Sequence, residues 1–212
     1  MVIQGFRQNC LDVSRLCAQR QQQRVVCKMS WNDIPGWLTD IEGEALQRLA
    51  EARLVLEIGS LFGRSTVCMA KHATHIVSVD PHDGRAIEGT KWENQNTLAT
   101  FMENLTIHDV RSVVTPIVTT SDQASRWLPP TFELIFVDGD HSHAACLHDL
   151  QLAKLLSKNV QRPIIAVHDF GTGYKQLQGV TSAVREFVSA NRLASLHRVA
   201  SLAIITYENQ VT

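Results

Sequence analysis

The sequence has no excess charge of one sign and no Cys-x-x-Cys pair, and each absence disfavours a class of protein. Its 212 residues carry a net charge of −1, so there is no basic field to capture a polyanion, and nucleic acid is not expected as a partner. The five cysteines form no Cys-x-x-Cys pair. A disulfide framework is therefore not expected, and a reducing cytoplasm is the simpler location.

Long apolar runs are missing as well. No stretch reaches the roughly 18 apolar residues that a membrane span needs, so no membrane association is expected. The opening residues MVIQGFRQNCLDV lack the unbroken apolar core of a signal peptide. Apolar residues still make up 44% of the chain, which is enough to bury the core of a single α/β domain.

From residue 54 onward, short apolar strands alternate with helical segments. Strands are predicted at 54–59, 75–80, 112–119, 132–138 and 162–169, helices at 64–73, 92–108, 121–128, 143–159 and 179–191, and a closing antiparallel hairpin at 196–208. This alternation favours βαβ units and a parallel sheet that is buried on both faces. Ligands of such sheets bind beyond the carboxyl ends of the strands. Residues 1–30 and the region from Pro35 to about Arg53 have helical spacing and precede this pattern.

The first strand leads into EIGSLFGRST, in which Gly59 and Gly63 bracket a turn from strand to helix. Glycine is needed where φ is positive or where the backbone approaches a ligand closely. The second strand ends at Asp80, where a carboxylate can accept hydrogen bonds from ribose hydroxyls. The loop lacks the G-x-G-x-x-G pattern of dinucleotide sites, and it suits an adenosyl cofactor without phosphates. In the simpler alternative, Gly59 only makes the turn and Asp80 only caps one.

Acids and histidines gather where two later apolar strands end. Asp138 and His141 follow FELIFV, and His168 and Asp169 follow PIIAV. Carboxylates at neighbouring strand ends can share one hard divalent cation, which would bind a substrate oxygen and lower its pKa. The alternative is that each carboxylate caps the helix that follows it. The other histidines, among them His82 and His108, show no metal spacing and are expected on the surface.

Taken together, these stretches resemble one enzyme family. LVLEIGSLFGRST, IVSVDPHDG, FELIFVDGDHSHAACLHDL, IIAVHDFG and GVTSAVREF look like the class I S-adenosylmethionine-dependent methyltransferases. They are most similar to the small O-methyltransferase branch that includes sugar- and antibiotic-modifying enzymes and is related to catechol O-methyltransferase. The resemblance covers about residues 50–190. It implies a Rossmann-like α/β fold with a seven-stranded, mostly parallel sheet whose last strand is antiparallel, with added N-terminal helices.

The resemblance also implies which residues bind S-adenosylmethionine. Glu57, Gly59 and Ser65 would lie near the methionine part of the cofactor. Asp80 would lie at the ribose and Ser121–Asp122 beside the adenine. The full set of cofactor-binding residues is then Glu57, Gly59, Ser60, Gly63, Ser65, Asp80, Ser121, Asp122 and Asp138. Residues 1–50 would be a helical extension that serves as a lid or in forming a homo-oligomer, and residues 51–212 would be the cofactor-binding domain.

In metal-dependent relatives the matching strand ends hold a divalent cation, and the positions here are Asp138, His168 and Asp169. The catechol enzymes carry Asp–Asn where this chain has His168–Asp169. Magnesium disfavours nitrogen ligands, so the open alternatives are magnesium, manganese, zinc, or a His168 that only orients Asp169. His141 is similar in position to a general base of related sugar O-methyltransferases. With Asp138 it forms the expected catalytic pair, and an ordinary imidazole pKa near 6.5 suits a base.

The activity expected from this resemblance is methyl transfer from S-adenosylmethionine to a hydroxyl of a small molecule, a sugar or a natural product, with help from a divalent metal such as magnesium or manganese. Two alternatives stay open. One is a nicotinamide-dependent oxidoreductase on a Rossmann-like fold, which the missing third glycine disfavours. The other is a non-catalytic domain that keeps the fold for binding, which the presence of Asp138, His141 and Asp169 disfavours.

Overall fold

A computed structural model describes residues 30–85, 90–191 and 194–209. The strands are β1 (Leu54–Ile58), β2 (His75–Val79), β3 (Val114–Ile117), β4 (Leu134–Val137), β5 (Ile164–Val167), β6 (Ser195–Val199) and β7 (Leu202–Thr206). The helices are α1 (Asp40–Ala50), α2 (Arg64–Ala70), α3 (Leu98–Ile107), α4 (Ser121–Ser125), α5 (His143–Leu156) and α6 (Gln178–Ala190). No helix within the described ranges is long and apolar enough to cross a membrane. The helix predicted within residues 1–30 lies outside these ranges.

All seven strands form one sheet in the order β3-β2-β1-β4-β5-β7-β6. Neighbouring strands from β3 to β5 are parallel, whereas β7 runs antiparallel to both β5 and β6. The predicted sheet, mostly parallel with the last strand antiparallel, is confirmed. The chain moves outward from β1 to β3 and then returns to β4, so the order reverses between β1 and β4. Ligands of open α/β sheets bind at this reversal, beyond the carboxyl ends of the strands.

Strand β4 shows why the apolar run FELIFV does not alternate with polar residues. Ile135 and Val137 pack into the core under α5 and α6, whereas Leu134 and Phe136 pack into the core under α1, α2 and α3. Because helices cover both faces of the sheet, every residue of this strand is buried. A parallel strand of this kind becomes polar only where it ends, and there Asp138 follows.

The segment before β1 is part of the same core. Ile34, Leu38 and Leu46 are buried in the cluster that also contains strand residues of the sheet. Helix α1 begins with a capping box, in which the Thr39 hydroxyl accepts from the Glu42 amide and the Glu42 carboxylate accepts from the Thr39 amide. Residues 34–50 therefore pack as an integral part of the fold, and a lid or oligomerisation role for residues 1–50 stays a prediction.

Two predictions made from local sequence patterns are wrong: where the helix after β2 begins, and that two histidines are exposed. The helix predicted at 92–108 begins only at Leu98, because a turn with the Asn94 backbone in the left-handed region precedes it. His82 and His108 are buried rather than on the surface. The ring of His82 lies 2.8 Å from the Thr97 hydroxyl and packs against Phe101, so it holds the start of α3. The loop after β2 and α3 are thus fixed by tertiary contacts.

Gly59 is the point where the ends of β1 and β4 meet. Its φ is +86°, and a Cβ added there would lie 2.2 Å from the carbonyl oxygen of Asp138. The glycine is therefore required by the neighbouring strand end as well as by its own backbone angle. This close approach brings the loop after β1 against the acidic end of β4.

We expect Gly59→Ala to lower the free energy of unfolding by about 2–6 kcal/mol, because left-handed strain of about 1–3 kcal/mol adds to an overpacking cost of similar size. Urea denaturation measures the loss. Gly173→Ala is the matched control, since no atom lies within 4 Å of its added Cβ, and we expect a change below about 1 kcal/mol. Equal stability of the two variants would contradict this account of Gly59.

Candidate active site

A cavity of about 510 Å³ opens at the carboxyl ends of the central strands, and its size lies in the range of small-molecule sites. The segment 35–38, the loops after β1 and β2, the ends of β4 and β5, and the first turns of α5 form its wall. Most residues predicted to form the site line this cavity: Gly59, Ser60, Ser65, Asp80, Ser121, Asp138, His141, His168 and Asp169. Glu57, Gly63 and Asp122 do not.

Asp80 holds the glycine loop in place. One of its carboxylate oxygens accepts hydrogen bonds from the amides of Ser60 and Leu61 at 2.8 and 2.9 Å. The other accepts from the amide of His82 at 2.6 Å. A carboxylate has about four acceptor positions, and three are used, so the second oxygen can still accept one hydrogen bond from a ligand hydroxyl; ribose binding by Asp80 stays a prediction.

The Ser60 hydroxyl is a polar group without a partner among the described residues. The residue is buried, its Oγ makes no hydrogen bond there, and it lines the cavity. A buried hydroxyl left unsatisfied costs about 1–3 kcal/mol. A polar ligand atom at the glycine loop would remove that cost, and the loop therefore fits a cofactor with hydrogen-bonding groups.

Glu57 lies behind the cavity wall instead of in it. Its fully buried carboxylate accepts from the hydroxyls of Ser65, Thr66 and Ser78 at 2.6, 2.5 and 3.0 Å. Burial raises the pKa of Glu57 to about 7, although the three hydroxyls lower it. The side chain therefore ties β1 to β2 and to the start of α2. In this structure Ser65, and not Glu57, is the member of this set that faces the cavity.

Gly63 and Asp122 also differ from their expected places. Gly63 precedes α2 with a left-handed backbone, and a Cβ there would meet the ring of Phe101 at 3.1 Å, so it packs inward. Asp122 is half-exposed and pairs with Arg126 at 2.8 Å. Its neighbour Ser121 is the residue of that turn that lines the cavity.

The ends of β4 and β5 bring two carboxylates and two imidazoles together. His141 Nε2 lies 3.9 Å from Asp138 Oδ1 and 3.2 Å from Asp169 Oδ2. His168 Nδ1 lies 3.3 Å from Asp138 Oδ1 and 3.6 Å from Asp169 Oδ1. The prediction that the two strand ends are neighbours is confirmed by the pairing of β4 with β5. We call these four residues the acid–histidine cluster.

Neither carboxylate of the cluster caps a helix. Helix α5 is capped by the hydroxyl of Ser142, which accepts from the Ala145 amide. Helix α6 begins only at Gln178, with no side-chain cap. Asp169 has a φ of +62°, a left-handed conformation that is uncommon outside glycine and that often marks a functional position. The capping alternative for Asp138 and Asp169 is thus wrong.

The carboxylates of the cluster raise the pKa of His141 above the value expected from the sequence. Its burial lowers the pKa, but the adjacent carboxylates of Asp138 and Asp169 outweigh burial and raise the pKa of His141 to about 10. Burial raises the pKa of Asp169, but hydrogen bonds from both histidines hold it well below the usual carboxyl range. At neutral pH His141 is therefore a cation. The pKa of this histidine therefore lies above the ordinary value near 6.5, because both neighbours are carboxylates.

Glu42 is a site residue that sequence reasoning missed. Its carboxylate is buried on α1 and lies 3.4 Å from His168 Nε2. It also accepts from the hydroxyl of Thr39 at 2.7 Å and from the amide of Ser201 at 2.8 Å. Both ring nitrogens of His168 therefore face carboxylates, and a ring that donates from both nitrogens has no lone pair for a metal. This geometry disfavours the predicted ligand role of His168 and supports the alternative that it orients the acids.

A cation would instead find its donors in Asp138, His141 and Asp169. One donor atom from each lies within 4.8 Å of the others. Two carboxylate oxygens and one imidazole nitrogen fit a divalent cation, and the nitrogen favours manganese or zinc over magnesium. Binding requires that His141 gives up its proton, because a ligating imidazole is neutral.

Asp149 is a second residue that sequence reasoning missed. It lies on α5, is buried, and lines the cavity next to Ser121. The Ser121 hydroxyl donates to its Oδ1 at 2.5 Å. In the sequence, Asp149 follows Ala145 by four positions, so the two residues share one face of the helix. This spacing predicts that the two residues lie on the same helix face, but it does not predict that this face borders a cavity.

Known proteins show the same fold. A family model described as "Methyltransferase domain" matches residues 56–170. The O-methyltransferase from Bacillus cereus in complex with SAH is 17% identical, with 84% of this chain and 86% of that chain covered and a TM-score of 0.62. Cofactor-bound Rv0187 from MTB is 17% identical, with 91% and 95% covered and a TM-score of 0.64.

A third structure is the O-methyltransferase TomG from Streptomyces achromogenes, involved in tomaymycin synthesis and solved with SAM. It is 17% identical, covers 82% of each chain, and has a TM-score of 0.58. No curated protein matches the sequence. At these identities the solved structures show a common fold, whereas the family model covers just over half of the chain. With this model match and this strand order, the chain belongs to the class I S-adenosylmethionine-dependent methyltransferases.

Proposed function

We propose that the protein transfers the methyl group of S-adenosylmethionine to a hydroxyl of a small molecule, a sugar or another natural product. The observation that carries the proposal is that the glycine loop and the acid–histidine cluster border one cavity and meet at Asp138. The carbonyl of this residue abuts Gly59, and its carboxylate faces His141. A donor bound at the loop and an acceptor bound at the cluster would therefore be neighbours.

The residues proposed to hold the cofactor are those whose polar groups face the cavity. Ser60 offers a hydroxyl without a partner among the described residues, Asp80 offers the one remaining acceptor position of its Oδ1, and Ser121 lies beside Asp149. Leu61 and Phe62 between the two glycines leave the loop without the third glycine of a pyrophosphate site. This argues for an adenosyl cofactor and against a nicotinamide dinucleotide.

We also propose that the segment 35–38 is part of a lid over the cavity, as expected for the N-terminal extension. Its residues line the cavity wall. Arg64 at the start of α2 fixes the segment by donating to the backbone carbonyls of Asn32, Ile34 and Leu38 at 2.6, 2.7 and 3.0 Å. The lid is thus tied to the same helix that follows the glycine loop.

Methyl transfer to a hydroxyl requires that the oxygen lose a proton. A cationic His141 cannot accept one at neutral pH, since its pKa is about 10. The pKa values of Asp138 and Asp169 lie below the usual carboxyl range, so both acids are weak bases. As it stands, the cluster is poorly suited to take a proton, and this observation supports an added cation.

We propose that Asp138, His141 and Asp169 hold a divalent cation during catalysis. When bound, such an ion supplies positive charge that lowers the pKa of a nearby hydroxyl. His141 would have to be neutral to serve as a ligand of that ion. His168, held by Glu42, then keeps the two carboxylates oriented toward the cavity. The cluster thereby positions an acceptor oxygen next to the glycine loop.

We expect S-adenosylmethionine or SAH at about 100 times its dissociation constant to raise the free energy of unfolding by about 2.7 kcal/mol. Calorimetry and thermal unfolding measure the effect.

Ser60→Ala should weaken SAH binding about 2–10-fold, because one hydrogen bond worth about 0.5–1.5 kcal/mol is lost. A nicotinamide dinucleotide is the control ligand. A stabilising shift with that ligand and none with SAH would overturn the proposal in favour of an oxidoreductase.

We expect the His141 imidazole of chelator-treated protein to titrate near pH 10 rather than near 6.5, as followed by NMR. Because its pKa is raised in the folded state, its ion pairs stabilise the fold fully below about pH 6.5 and lose this effect as the pH rises toward 10. Asp169→Asn removes one of the two carboxylates and should lower the midpoint. A midpoint near 6.5 in the wild type would show that the carboxylates do not control this group.

We expect excess chelator to abolish methyl transfer and Mn²⁺ to restore it, with the methylated product of a hydroxylated acceptor library detected by mass spectrometry. His141→Ala should lower turnover about 10²–10⁴-fold, because it removes one of the three proposed ligands of an ion whose charge is worth several kcal/mol in the transition state, and should leave SAH affinity near that of the wild type. His143→Ala is the matched control, because this histidine is exposed and pairs with Glu186. Full turnover in excess chelator would refute the cation, and full turnover of His141→Ala would refute the role of that residue.

A further inference from the structure

Asp169 has an uncommon backbone conformation just after the end of β5. Its φ of +62° lies in the left-handed region, which is unfavourable for a residue with a side chain and persists only where the surroundings hold it. The next two residues are both anchored at 2.8 Å. The amide of Phe170 donates to the carbonyl of Ser201 in the turn between β6 and β7. The amide of Gly171 donates to the hydroxyl of Thr181 on α6. The direction of the Asp169 carboxylate therefore depends on groups outside β5.

Helix α6 also contacts the segment that carries His141. A Cβ added to Gly179, in the first turn of this helix, would lie 2.4 Å from the carbonyl oxygen of His141. It would lie 2.6 Å from the amide nitrogen of His143. The two backbones therefore touch, and only a residue without a side chain permits this approach. The beginning of α6 thus contacts both segments of the acid–histidine cluster, the one after β4 through Gly179 and the one after β5 through Thr181.

These contacts bear on the closest acid–histidine pair of the cluster. His141 Nε2 and Asp169 Oδ2 lie 3.2 Å apart, although the two residues follow different strands. The backbone at Gly179 restrains the first residue, and the hydroxyl of Thr181 restrains the segment of the second. A single rigid helix therefore fixes both members of the pair relative to each other.

We propose that Thr181 is a positioning residue, whose hydroxyl holds Asp169 in its left-handed conformation and so keeps the Asp169 carboxylate against His141. The expected effect on methyl transfer rests on the proposed function, whereas the spacing of the pair is a property of the protein that can be measured without it.

The test compares Thr181→Val, which keeps the shape of the side chain and removes the acceptor, with Thr181→Ser, which keeps the acceptor and removes a methyl group. The first readout is NMR of the His141 imidazole in chelator-treated protein, assigned with His141→Ala. In Thr181→Val we expect the imidazole shifts to move toward those of Asp169→Asn, because the 3.2 Å contact opens. In Thr181→Ser they should stay at the wild-type values. Ser189→Ala is the matched control, since its exposed hydroxyl also makes a 2.8 Å hydrogen bond on α6, to the carbonyl of Glu186, and it should change nothing.

The second readout is turnover, measured together with SAH affinity. A small misplacement of reacting groups costs up to about 10²-fold in rate, so we expect Thr181→Val to lose about 10–100-fold and Thr181→Ser less than about 3-fold. Both variants should bind SAH with wild-type affinity, because the glycine loop is not altered.

Wild-type His141 shifts in Thr181→Val would overturn the inference. Equal changes in Thr181→Val and Thr181→Ser would overturn it too, because packing and not the hydroxyl would then be responsible. If Thr181→Val folds poorly, hydrogen exchange of the wild type decides. The Gly171 amide must exchange more slowly than that of the exposed Gly173, and equal rates would overturn the inference. If the wild type transfers no methyl group but the shifts respond as expected, the proposed function fails and the positioning role of Thr181 is supported.

Discussion

The contact between Gly59 and the carbonyl of Asp138 is the constraint on which the site depends. It joins the loop after β1 to the end of β4 at the place where the strand order reverses. A side chain at position 59 would push the two strand ends apart. Because they meet, one residue, Asp138, borders both the glycine loop and the acid–histidine cluster. Because of this contact, the glycine loop and the acid–histidine cluster are adjoining parts of one cavity.

Charge balance governs the cluster itself. Asp138 and Asp169 lie on neighbouring strand ends, and two like charges so close together need compensation. His141 and His168 supply it, and Glu42 in turn fixes His168 from the opposite side. The same compensation that makes the arrangement stable makes His141 a poor base at neutral pH. A divalent cation in place of the His141 proton would add one positive charge beside the same carboxylates and would lower the pKa of a nearby hydroxyl, which links electrostatics to the proposed chemistry.

Polar groups that the protein leaves incompletely satisfied outline the cofactor. Among the described residues, the Ser60 hydroxyl has no partner and Asp149 accepts from a single donor. Folded proteins satisfy nearly all buried polar groups, so such groups on a cavity wall indicate a ligand that completes them. By contrast, Glu57 has three donors of its own and works inside the fold. Asp80 also accepts three hydrogen bonds but borders the cavity, so the position of each acid relative to the wall, and not its number of donors, separates their roles.

The sequence by itself determined the order of strands and helices, the seven-stranded sheet, and the position of Asp138 and Asp169 at neighbouring strand ends. These features follow from local periodicity, from apolar runs that end in acids, and from the family resemblance. Only the tertiary structure decided that Glu42, 126 residues away from His168, reaches the cluster. It also decided that His82 is buried and that Glu57 lies behind the wall. The physical reason is that burial, pKa and long-range pairing depend on distances between elements, and a one-dimensional pattern does not contain those distances.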